Sequence, residues 1–495
     1  MPDSRPPLPR PKKGAVLDLT IEKFADRGKS LARFHPEGAE DGRGYVVFVA
    51  GAVPGDRVKA RLFKRRRGFG EARLEEVVEE SALRTVPRCE YFGTCGGCKW
   101  QHVEYRAQTD AKRQSVEEAF EHTGGFDLAA MGVTVQPTIA ADRPYFYRNK
   151  MEFTFSAARW LTPEEIATGA AMDRDFALGL HVPGRFDKVL DLKACYLQSE
   201  WSVRLVNRMR ELAKEHGWAP WHIRDHTGVL RHLVIRQPAN EPGRMVNLVT
   251  NGEHEDVNAA VAEMLQAEFP EVSTFVVTVN TGKAQTAYGE RQVTVFGPGV
   301  IFDQIGGLRF EIAPNAFFQT NTYQAEKLYA VAAEMADLQP DDLVYDLYCG
   351  AGTISLYLAQ RLGEGGRVVG AELVEEAVEN AKRNAEMNGI GNATFVAGDM
   401  RDLFGEAFVE EHGRPDVVIV DPPRAGLHPK VVGQIANLRP KRLVYVSCNP
   451  QTQARDLALL AEKTQNAYSL DALQPVDLFP QTHHVEAVAK LTLKK

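Results

Sequence analysis

The sequence predicts a multidomain protein with an N-terminal β-barrel of the OB type, an α+β central domain and a C-terminal α/β domain with a Rossmann-like sheet. Three observations predict it: short strand-like segments between Gly and Pro turns, a cysteine-bearing loop followed by mixed patterns, and strand–helix alternation from residue 341 onward. A length of 495 residues suits about three domains. The predicted boundaries are a flexible tail at 1–13, the barrel at 14–80, the central domain at 81–310 and the α/β domain at 311–495.

The composition excludes several classes of protein. Hydrophobic residues make up 44% and charged residues 25%, which is typical of a globular chain. No apolar run reaches 18 residues, so a membrane span is not expected. The tail is basic and proline-rich without an apolar segment, which argues against a secretory signal. Six cysteines are too few for a disulfide framework, and we expect a cytoplasmic protein.

Positive charge is concentrated near the N-terminus, although the formal net charge is −7. The excess peaks at Lys64, Arg65 and Arg66, and Phe63 and Phe69 flank this run. Basic residues interleaved with aromatic ones suit RNA binding, because bases stack on aromatic rings. A solvated charged hairpin is the alternative.

The secondary structure before the α/β domain follows from periodicity. Apolar residues at helical spacing predict a helix at 102–122, which lies close enough to a domain boundary to pack on the C-terminal domain instead of the central one. The predicted barrel strands are Ala15–Ile21, Tyr45–Ala50, Asp56–Phe63 and Gly70–Val78, within a total of about five.

A cofactor site is predicted where an apolar strand runs into a glycine-rich turn at Gly350 and Gly352. Glu372 follows Gly352 by 20 residues, at the end of the next strand, where an acid binds ribose hydroxyls. Asp399 follows the third strand and is placed to reach an adenine amino group.

The kind of cofactor follows from two further residues. Ser355 stands where a dinucleotide-binding motif requires Gly or Ala, so that motif fails. Asp346, before the turn, suits a cofactor with a cationic centre. The arrangement is typical of S-adenosylmethionine methyltransferases, with a dinucleotide enzyme or an incidental glycine-rich turn as alternatives.

Reactive groups are predicted where three segments lie at strand ends, the edge where open α/β sheets bind ligands. These groups are Asp421 and Arg424 around a Pro-Pro pair, Cys448 before Asn449-Pro450, and Glu486 in an apolar run. Each group has an alternative interpretation: Cys448 as a small packed residue, and Glu486 as a surface residue of an edge strand. For Asp421 the alternative is the D/N-P-P motif of an amino-directed methyltransferase. That motif continues with an aromatic residue, and Arg424 in its place weakens this interpretation.

Together these groups suit methylation of uracil at carbon 5. A thiolate that adds to carbon 6 makes carbon 5 nucleophilic toward a methyl donor. A base must then remove the proton from carbon 5 so that the thiolate leaves. Cys448 and Glu486 supply the thiol and the base.

At these residues the chain resembles the RNA uracil-5-methyltransferase family, in the branch with an iron–sulfur cluster and an N-terminal TRAM domain. The resemblance covers residues 14–495, and its most specific motifs are Phe317-Phe318-Gln319-x-Asn321, Asp346–Thr353, Asp421–Gly426, Ser447–Pro450 and His484–Glu486. It implies that Cys448 is the nucleophile and Glu486 the base. The positions that it implies for the cofactor are Gln319, Tyr348, Thr353, Glu372, Asp399 and Asp421. At two of these, Thr353 and Asp399, some relatives carry Asn, which leaves contact details open.

Four of the six cysteines form a candidate metal site. Cys89, Cys95 and Cys98 are close in sequence and Cys195 is distant. Four thiolates hold either Zn²⁺ or an iron–sulfur cluster. The resemblance implies a [4Fe–4S] cluster. The mechanism above requires no redox step, so we expect the cluster to have a structural or RNA-positioning role.

The expected partner is structured RNA, and the resemblance to the TRAM branch favours 23S-type ribosomal RNA over transfer RNA. Further candidate RNA contacts are Arg231, Arg236 and Arg424. We expect a monomer that does not bind membranes. A non-catalytic RNA-binding iron–sulfur protein is the alternative outside enzymology.

Overall fold

The structure, a computed structural model, describes residues 10–35 and 44–494. Most of the predicted tail at 1–13 lies outside these described residues. No helix among them is long and apolar enough to cross a membrane.

Five strands close into the predicted N-terminal barrel, in the order β1-β2-β3-β5-β4. Residues of β1 point alternately inward and outward, so that Leu17, Leu19 and Ile21 form part of the barrel core. The barrel prediction is confirmed, and β2 is the strand that the sequence analysis did not locate. The strands are β1 (Val16–Phe24), β2 (Lys29–Phe34), β3 (Tyr45–Ala50), β4 (Arg57–Arg65) and β5 (Phe69–Glu79).

The helix predicted at 102–122 begins three residues later, as α1 (Tyr105–Glu118), and continues as a wider helical turn over Ala119–Thr123. Its buried residues include Gln108 and Lys112 as well as alanines. The side chains of α1 contact a C-terminal loop at residues 477–481. The helix therefore lies against the C-terminal domain, although the central domain follows it in the chain.

The central region folds around an eight-stranded sheet with the order β13-β12-β11-β10-β6-β8-β9-β7. Helices α3 and α4 pack on it through residues such as Leu205, Met209 and Val261. The elements are β6 (Lys150–Ser156), β7 (Arg159–Trp160), α2 (Pro163–Ala167), β8 (Ala177–His181), β9 (Val189–Asp191), α3 (Glu200–Glu215), β10 (Leu230–Arg236), β11 (Met245–Thr250), α4 (Glu255–Glu268), β12 (Thr274–Val279) and β13 (Arg291–Phe296).

A hairpin and one helix lead into the C-terminal sheet. The hairpin is β14 (Ile301–Ile305) with β15 (Leu308–Ile312), and the helix is α5 (Thr322–Ala336). The remaining elements are β16 (Leu343–Leu347), α6 (Thr353–Ala359), β17 (Arg367–Glu372), α7 (Glu375–Met387), β18 (Ala393–Ala397), α8 (Met400–Leu403), α9 (Glu406–His412), β19 (Val417–Val420), α10 (Pro429–Leu438), β20 (Arg442–Ser447), α11 (Pro450–Thr464), β21 (Tyr468–Val476) and β22 (Glu486–Leu493).

The C-terminal sheet has seven strands in the order β18-β17-β16-β19-β20-β22-β21, and the first five are parallel. Only β22 and β21 run antiparallel to their neighbours. Strands β16, β19 and β20 are buried throughout, because helices cover both faces of a parallel sheet. The predicted Rossmann-like sheet is confirmed, and its carboxyl edge is where ligands of such folds bind.

Candidate active site

The strand order of the C-terminal sheet arranges the candidate residues along one edge. Glu372 ends β17, Asp346 lies in β16, Asp421 follows β19, Cys448 follows β20 and Glu486 begins β22. Because β22 is antiparallel to β20, its first residue lies at the edge where the parallel strands end. The predicted cofactor and reaction residues therefore adjoin each other at Asp421.

Glu372 organises the glycine-rich turn. One carboxylate oxygen accepts a hydrogen bond from the Gly350 amide at 3.1 Å, and the other accepts from the amides of Leu373 and Val374 at 2.8 and 3.0 Å. These bonds hold the carboxylate at the end of β17, where the adjacent strand enters its turn.

The turn itself depends on backbone conformations that favour glycine. Gly350 and Gly352 have φ values of +56° and +77°, and Tyr348 has φ +69°. A Cβ at Gly352 would lie 2.9 Å from the ring of Phe395, so this glycine also permits close packing.

Asp346 is a buried acid under this turn. Its Oδ2 accepts a hydrogen bond from the Ser355 hydroxyl at 2.5 Å, and its Oδ1 has no hydrogen-bond partner among the described residues. Burial raises the pKa of Asp346 to about 7. A cationic ligand nearby would favour the ionised form, as expected for a sulfonium cofactor.

Four of the residues that the resemblance implies for the cofactor line one cavity beside Asp346, and they are Gln319, Tyr348, Thr353 and Asp421. Tyr329, which was not predicted from the sequence, lines the same cavity from α5. Its hydroxyl lies within hydrogen-bond distance of the Thr353 hydroxyl, at 2.9 Å. No motif marks Tyr329, which is one of several apolar or aromatic residues on a buried helix face.

Asp399 lies outside that cavity lining and has local partners. It caps α8 by accepting from the Arg401 amide at 2.9 Å, and its carboxylate pairs with the Arg401 guanidinium. These contacts lower the pKa of Asp399 to about 2. Its predicted contact with adenine stays a prediction.

The reaction half of the edge brings three titratable groups together. Ser447 pairs with Ala487 in the β20–β22 ladder, so the next pair along this register is Cys448 with Glu486. Burial raises the pKa of the Cys448 thiol to about 12, with smaller contributions from Glu486 and Asp421, while Arg424 lowers it. Without substrate the thiol is therefore protonated at neutral pH.

The two carboxyl groups beside the thiol resist joint ionisation. Glu486 is only 4% exposed, and its burial and the charge of Asp421 raise its pKa well above the ordinary value, which Arg424 opposes. Burial also raises the pKa of Asp421 to about 7. Two neighbouring acids with raised pKa values are not both ionised at neutral pH, which is the behaviour of groups that transfer protons.

A cleft of about 880 Å³ opens at Cys448. The C-terminal domain contributes Arg424 and His484 to this cleft, and their side-chain nitrogens lie 3.3 Å apart. The barrel contributes residues around the β1–β2 turn, such as Phe24 and Arg27. The barrel and Cys448 therefore border the same space.

The predicted RNA contacts fall into two groups. Arg65, Arg66 and Arg424 are exposed, and Lys64 is partly exposed and paired with Glu71. These side chains are accessible to a ligand.

The prediction is wrong for Arg231 and Arg236, which are 1% and 3% exposed. Arg231 donates to the carbonyls of Asn280, Gly282 and Ala284 at 2.6 Å, and Arg236 donates to backbone carbonyls that include Pro314 at 3.1 Å. Their guanidinium groups satisfy carbonyls inside the protein and are not available to RNA.

The cysteines predicted to hold a cluster influence one another electrostatically. Burial raises the pKa of Cys95 to about 11 and that of Cys98 to about 12, and Cys195 raises both further. Burial and the proximity of Cys195 likewise raise the pKa of Cys89. Within residues 10–35 and 44–494, no three His, Cys, Asp or Glu side chains converge as a ready set of metal ligands.

Comparisons with known proteins agree with this geometry. The family described as tRNA (Uracil-5-)-methyltransferase matches residues 304–494, and the TRAM domain matches residues 10–74. The chain is 42% identical to a protein of Chlorobaculum tepidum described as an uncharacterized RNA methyltransferase, over 97% of each chain. It is 41% identical to one so described from Bacteroides thetaiotaomicron, over 95% of this chain and 100% of that one.

A solved structure is similar along almost the whole chain. It is the Pyrococcus abyssi tRNA (uracil-54, C5)-methyltransferase in complex with S-adenosyl-L-homocysteine. The TM-score is 0.71 and the identity 28%, covering 96% of this chain and 99% of that one.

Proposed function

Because the chain belongs to the RNA uracil-5-methyltransferase family, we propose that it methylates carbon 5 of a uridine in RNA through a covalent adduct between Cys448 and carbon 6. The observation that carries this proposal is the register that makes Cys448 and Glu486 neighbours at the ligand-binding edge of the sheet. A nucleophile and a base must reach adjacent carbons of one pyrimidine ring, and cross-strand neighbours lie about 5 Å apart.

The residues of the chain divide the reaction between them. The Cys448 thiol releases its proton to solvent and the resulting thiolate adds to carbon 6, and Arg424 favours that thiolate because it lowers the thiol pKa. S-adenosylmethionine, held beside Asp346, Tyr348, Glu372 and the residues around them, supplies the methyl group. Glu486, when it is the ionised member of the Asp421–Glu486 pair, then accepts the proton from carbon 5, and the carbon 6–sulfur bond breaks to restore the aromatic ring.

RNA that contains 5-fluorouridine tests the covalent step. Fluorine cannot leave as a proton, so the adduct through Cys448 persists after methyl transfer. We expect a protein–RNA adduct that requires S-adenosylmethionine and maps to Cys448 by peptide mass spectrometry. Cys448→Ala should form no adduct. If Cys448→Ala still methylates RNA, the enzyme is an amino-directed methyltransferase instead.

The proposed substrate is a uridine in 23S-type ribosomal RNA, and the TRAM-type barrel beside the active-site cleft supports an extended structured RNA. Transfer RNA is the second candidate, because the similar Pyrococcus abyssi enzyme is a tRNA (uracil-54, C5)-methyltransferase. Methylation of unmodified 23S rRNA and unmodified tRNA, each with labelled methyl donor, distinguishes them. We expect incorporation into rRNA, and incorporation into tRNA alone would overturn this choice.

We further propose that Cys89, Cys95, Cys98 and Cys195 hold a [4Fe–4S] cluster. The four thiols are free and half-buried, and Cys195 raises the pKa values of the other three, which supports this assignment because cluster ligands are cysteine thiolates. Anaerobically purified protein should contain about four iron and four acid-labile sulfide per chain on this assignment. Stoichiometric zinc would replace the assignment, and Cys98→Ser should lose the metal while Cys349→Ser retains it.

A further inference from the structure

The loop that ends at Glu486 is hydrogen-bonded along its length by residues from other segments of the chain. Residues 477–485 connect β21 to β22, and Val476 pairs with Glu486 where the loop closes. Helix α1 contacts this loop through Lys112, which donates to Asp477 at 2.5 Å and to the Phe479 carbonyl at 3.1 Å. Other segments bind it too: the Tyr147 hydroxyl donates to the Pro480 carbonyl at 3.1 Å.

Gln108 and Gln481 form the most connected part of this contact. The Gln108 amide nitrogen donates to the Gln481 side-chain oxygen at 3.0 Å, and the Gln108 oxygen accepts from the Gln481 backbone amide at 3.0 Å. The same amide nitrogen lies 3.0 Å from the Trp100 carbonyl and 2.9 Å from that of Val103. Gln108 is 1% exposed and Gln481 3% exposed, so water cannot replace these bonds.

Gln481 also adopts a backbone conformation that costs free energy. Its φ is +66°, in the left-handed region that a side chain with a Cβ rarely occupies. Its carbonyl accepts from the amides of both Lys99 and Trp100, at 2.9 and 3.0 Å. An unfavourable conformation persists where the surroundings impose it, and such positions cluster at functional sites.

The amides that bind Gln481 directly follow the cysteine loop. Cys98 immediately precedes Lys99, and the Gln101 side chain accepts a hydrogen bond from the Cys89 amide at 3.1 Å. The loop that carries three candidate cluster ligands is therefore bonded to the loop that ends at Glu486.

We propose that the buried Gln108–Gln481 bridge is a positioning device for Glu486, and that it ties the base to the cysteine loop. The proposal rests on the proposed role of Glu486 as the base. Gln108 and Gln481 do not touch the reacting atoms. They set the path of the 477–485 loop and so the distance from the Glu486 carboxylate to carbon 5 of the uracil.

This role predicts a selective defect. The turn that carries Cys448 at the end of β20 has its own hydrogen bond, in which the Asn449 amide donates to the Ser447 hydroxyl at 3.1 Å. Loss of the bridge should therefore leave thiolate addition and methyl transfer intact and slow proton removal. A misplacement of about 1 Å costs roughly 10²-fold in rate.

The test compares two reactions of Gln108→Leu and Gln481→Gly. On 5-fluorouridine RNA, which stops before proton removal, we expect adduct formation within about twofold of the parent rate. On ordinary uridine RNA we expect turnover to fall about ten- to hundredfold, with methylated covalent complex accumulating. Gln481→Gly tolerates φ +66°, so it removes the side-chain bond without adding strain.

Gln465→Gly is the matched control, because Gln465 is an exposed glutamine at φ +54° at the end of α11. It should turn over at the parent rate. Thermal unfolding identifies any variant that fails to fold, and Gln481→Gly then carries the test alone.

Equal losses of adduct formation and turnover in a folded variant would overturn the positioning role, as would parent turnover. Failure of the parent protein to form any adduct would instead overturn the proposed function, so the two failures are distinguishable.

Discussion

Cys448 and Glu486 are cross-strand neighbours at the point where β20 and β22 separate, one position beyond the Ser447–Ala487 pair. The thiol comes from the end of a parallel strand and the carboxyl from the start of an antiparallel one. A sheet with β22 parallel to β20 would place Glu486 at the opposite edge, some 20 Å away for a six-residue strand. The antiparallel direction of β22 therefore places Glu486 beside Cys448.

The first prediction concerns the base. Glu486→Gln keeps the size of the side chain but cannot accept the carbon 5 proton at neutral pH, so turnover should fall about 10²–10⁴-fold. Methylated covalent complex should accumulate on ordinary uridine RNA, and denaturing gel electrophoresis with labelled donor detects it.

Glu462→Gln, an exposed change on α11, is the control and should behave as the parent. Turnover of Glu486→Gln at the parent rate would remove Glu486 from this role.

The second prediction concerns the pH dependence of stability. Asp346 has its pKa raised from 3.8 to about 7 by burial. The folded protein then binds a proton that the unfolded chain releases between about pH 4 and 7, so Asp346 makes stability fall as pH rises through this window. Asp346→Asn should flatten that part of the curve, measured by urea unfolding without the methyl donor.

Asp399→Asn provides the contrast, because the Arg401 contacts lower the pKa of Asp399 to about 2. The ionised Asp399 carboxylate therefore stabilises the folded protein above about pH 4, and this stabilisation is lost as the pH falls from about 4 to about 2. The slope between pH 4 and 7 should therefore be unchanged in Asp399→Asn, and an unchanged slope in Asp346→Asn would contradict the first assignment.

The third prediction concerns a fully buried ion pair. Lys112 donates to Asp477 at 2.5 Å, and both side chains are inaccessible to solvent. Lys112→Met leaves the Asp477 carboxylate with the Tyr105 hydroxyl alone, and should destabilise the fold by about 3–5 kcal/mol. Chemical denaturation measures the loss.

Removal of both charges should cost less than removal of one. The double variant Lys112→Met with Asp477→Leu leaves no buried charge unpaired, so it should regain much of that stability. A double variant no more stable than the single one would show that the pair acts through other contacts.

The fourth prediction concerns the exposed cations of the barrel. The double variant Arg65→Ala with Arg66→Ala should weaken RNA binding and reduce the slope of log affinity against log salt by about 1.4–1.8, if each arginine neutralises one phosphate. Fluorescence anisotropy across a salt series measures this slope.

Arg57→Ala is the matched control, since Arg57 lies on the same barrel but pairs with Asp18 and Glu79. Its salt slope should equal that of the parent. An equal change in both variants would indicate a general charge effect and no specific phosphate contacts.

The sequence alone was sufficient for residues that follow a strand within a few positions. Glu372, Asp421 and Cys448 stand at strand ends, and parallel strands bring their carboxyl ends to one edge. The local sequence pattern therefore predicted both the strands and the edge of the sheet at which these residues lie. The barrel and the Rossmann-like sheet were predictable for the same reason, because alternation and turn residues act over short range.

Burial was not predictable in the same way. Arg231 and Arg236 look like surface cations in sequence, yet the structure encloses both among backbone carbonyls. The carbonyls that bind these arginines belong to irregular segments elsewhere in the chain, so the sequence around each arginine does not indicate them. Tyr329 was not predicted as a site residue because its contact with Thr353 depends on how α5 packs.

The amino-acid sequence by itself determined the chemical groups of this protein: the Cys448 thiol, the Glu486 carboxyl, the glycine-rich turn and the cysteines that are close in sequence. Only the tertiary structure decided which groups adjoin. It brought Gln108 to Gln481 across 373 residues, and it set Glu486 opposite Cys448. The physical reason is that hydrophobic periodicity acts locally, whereas the pairing of distant polar groups depends on which packing buries them together.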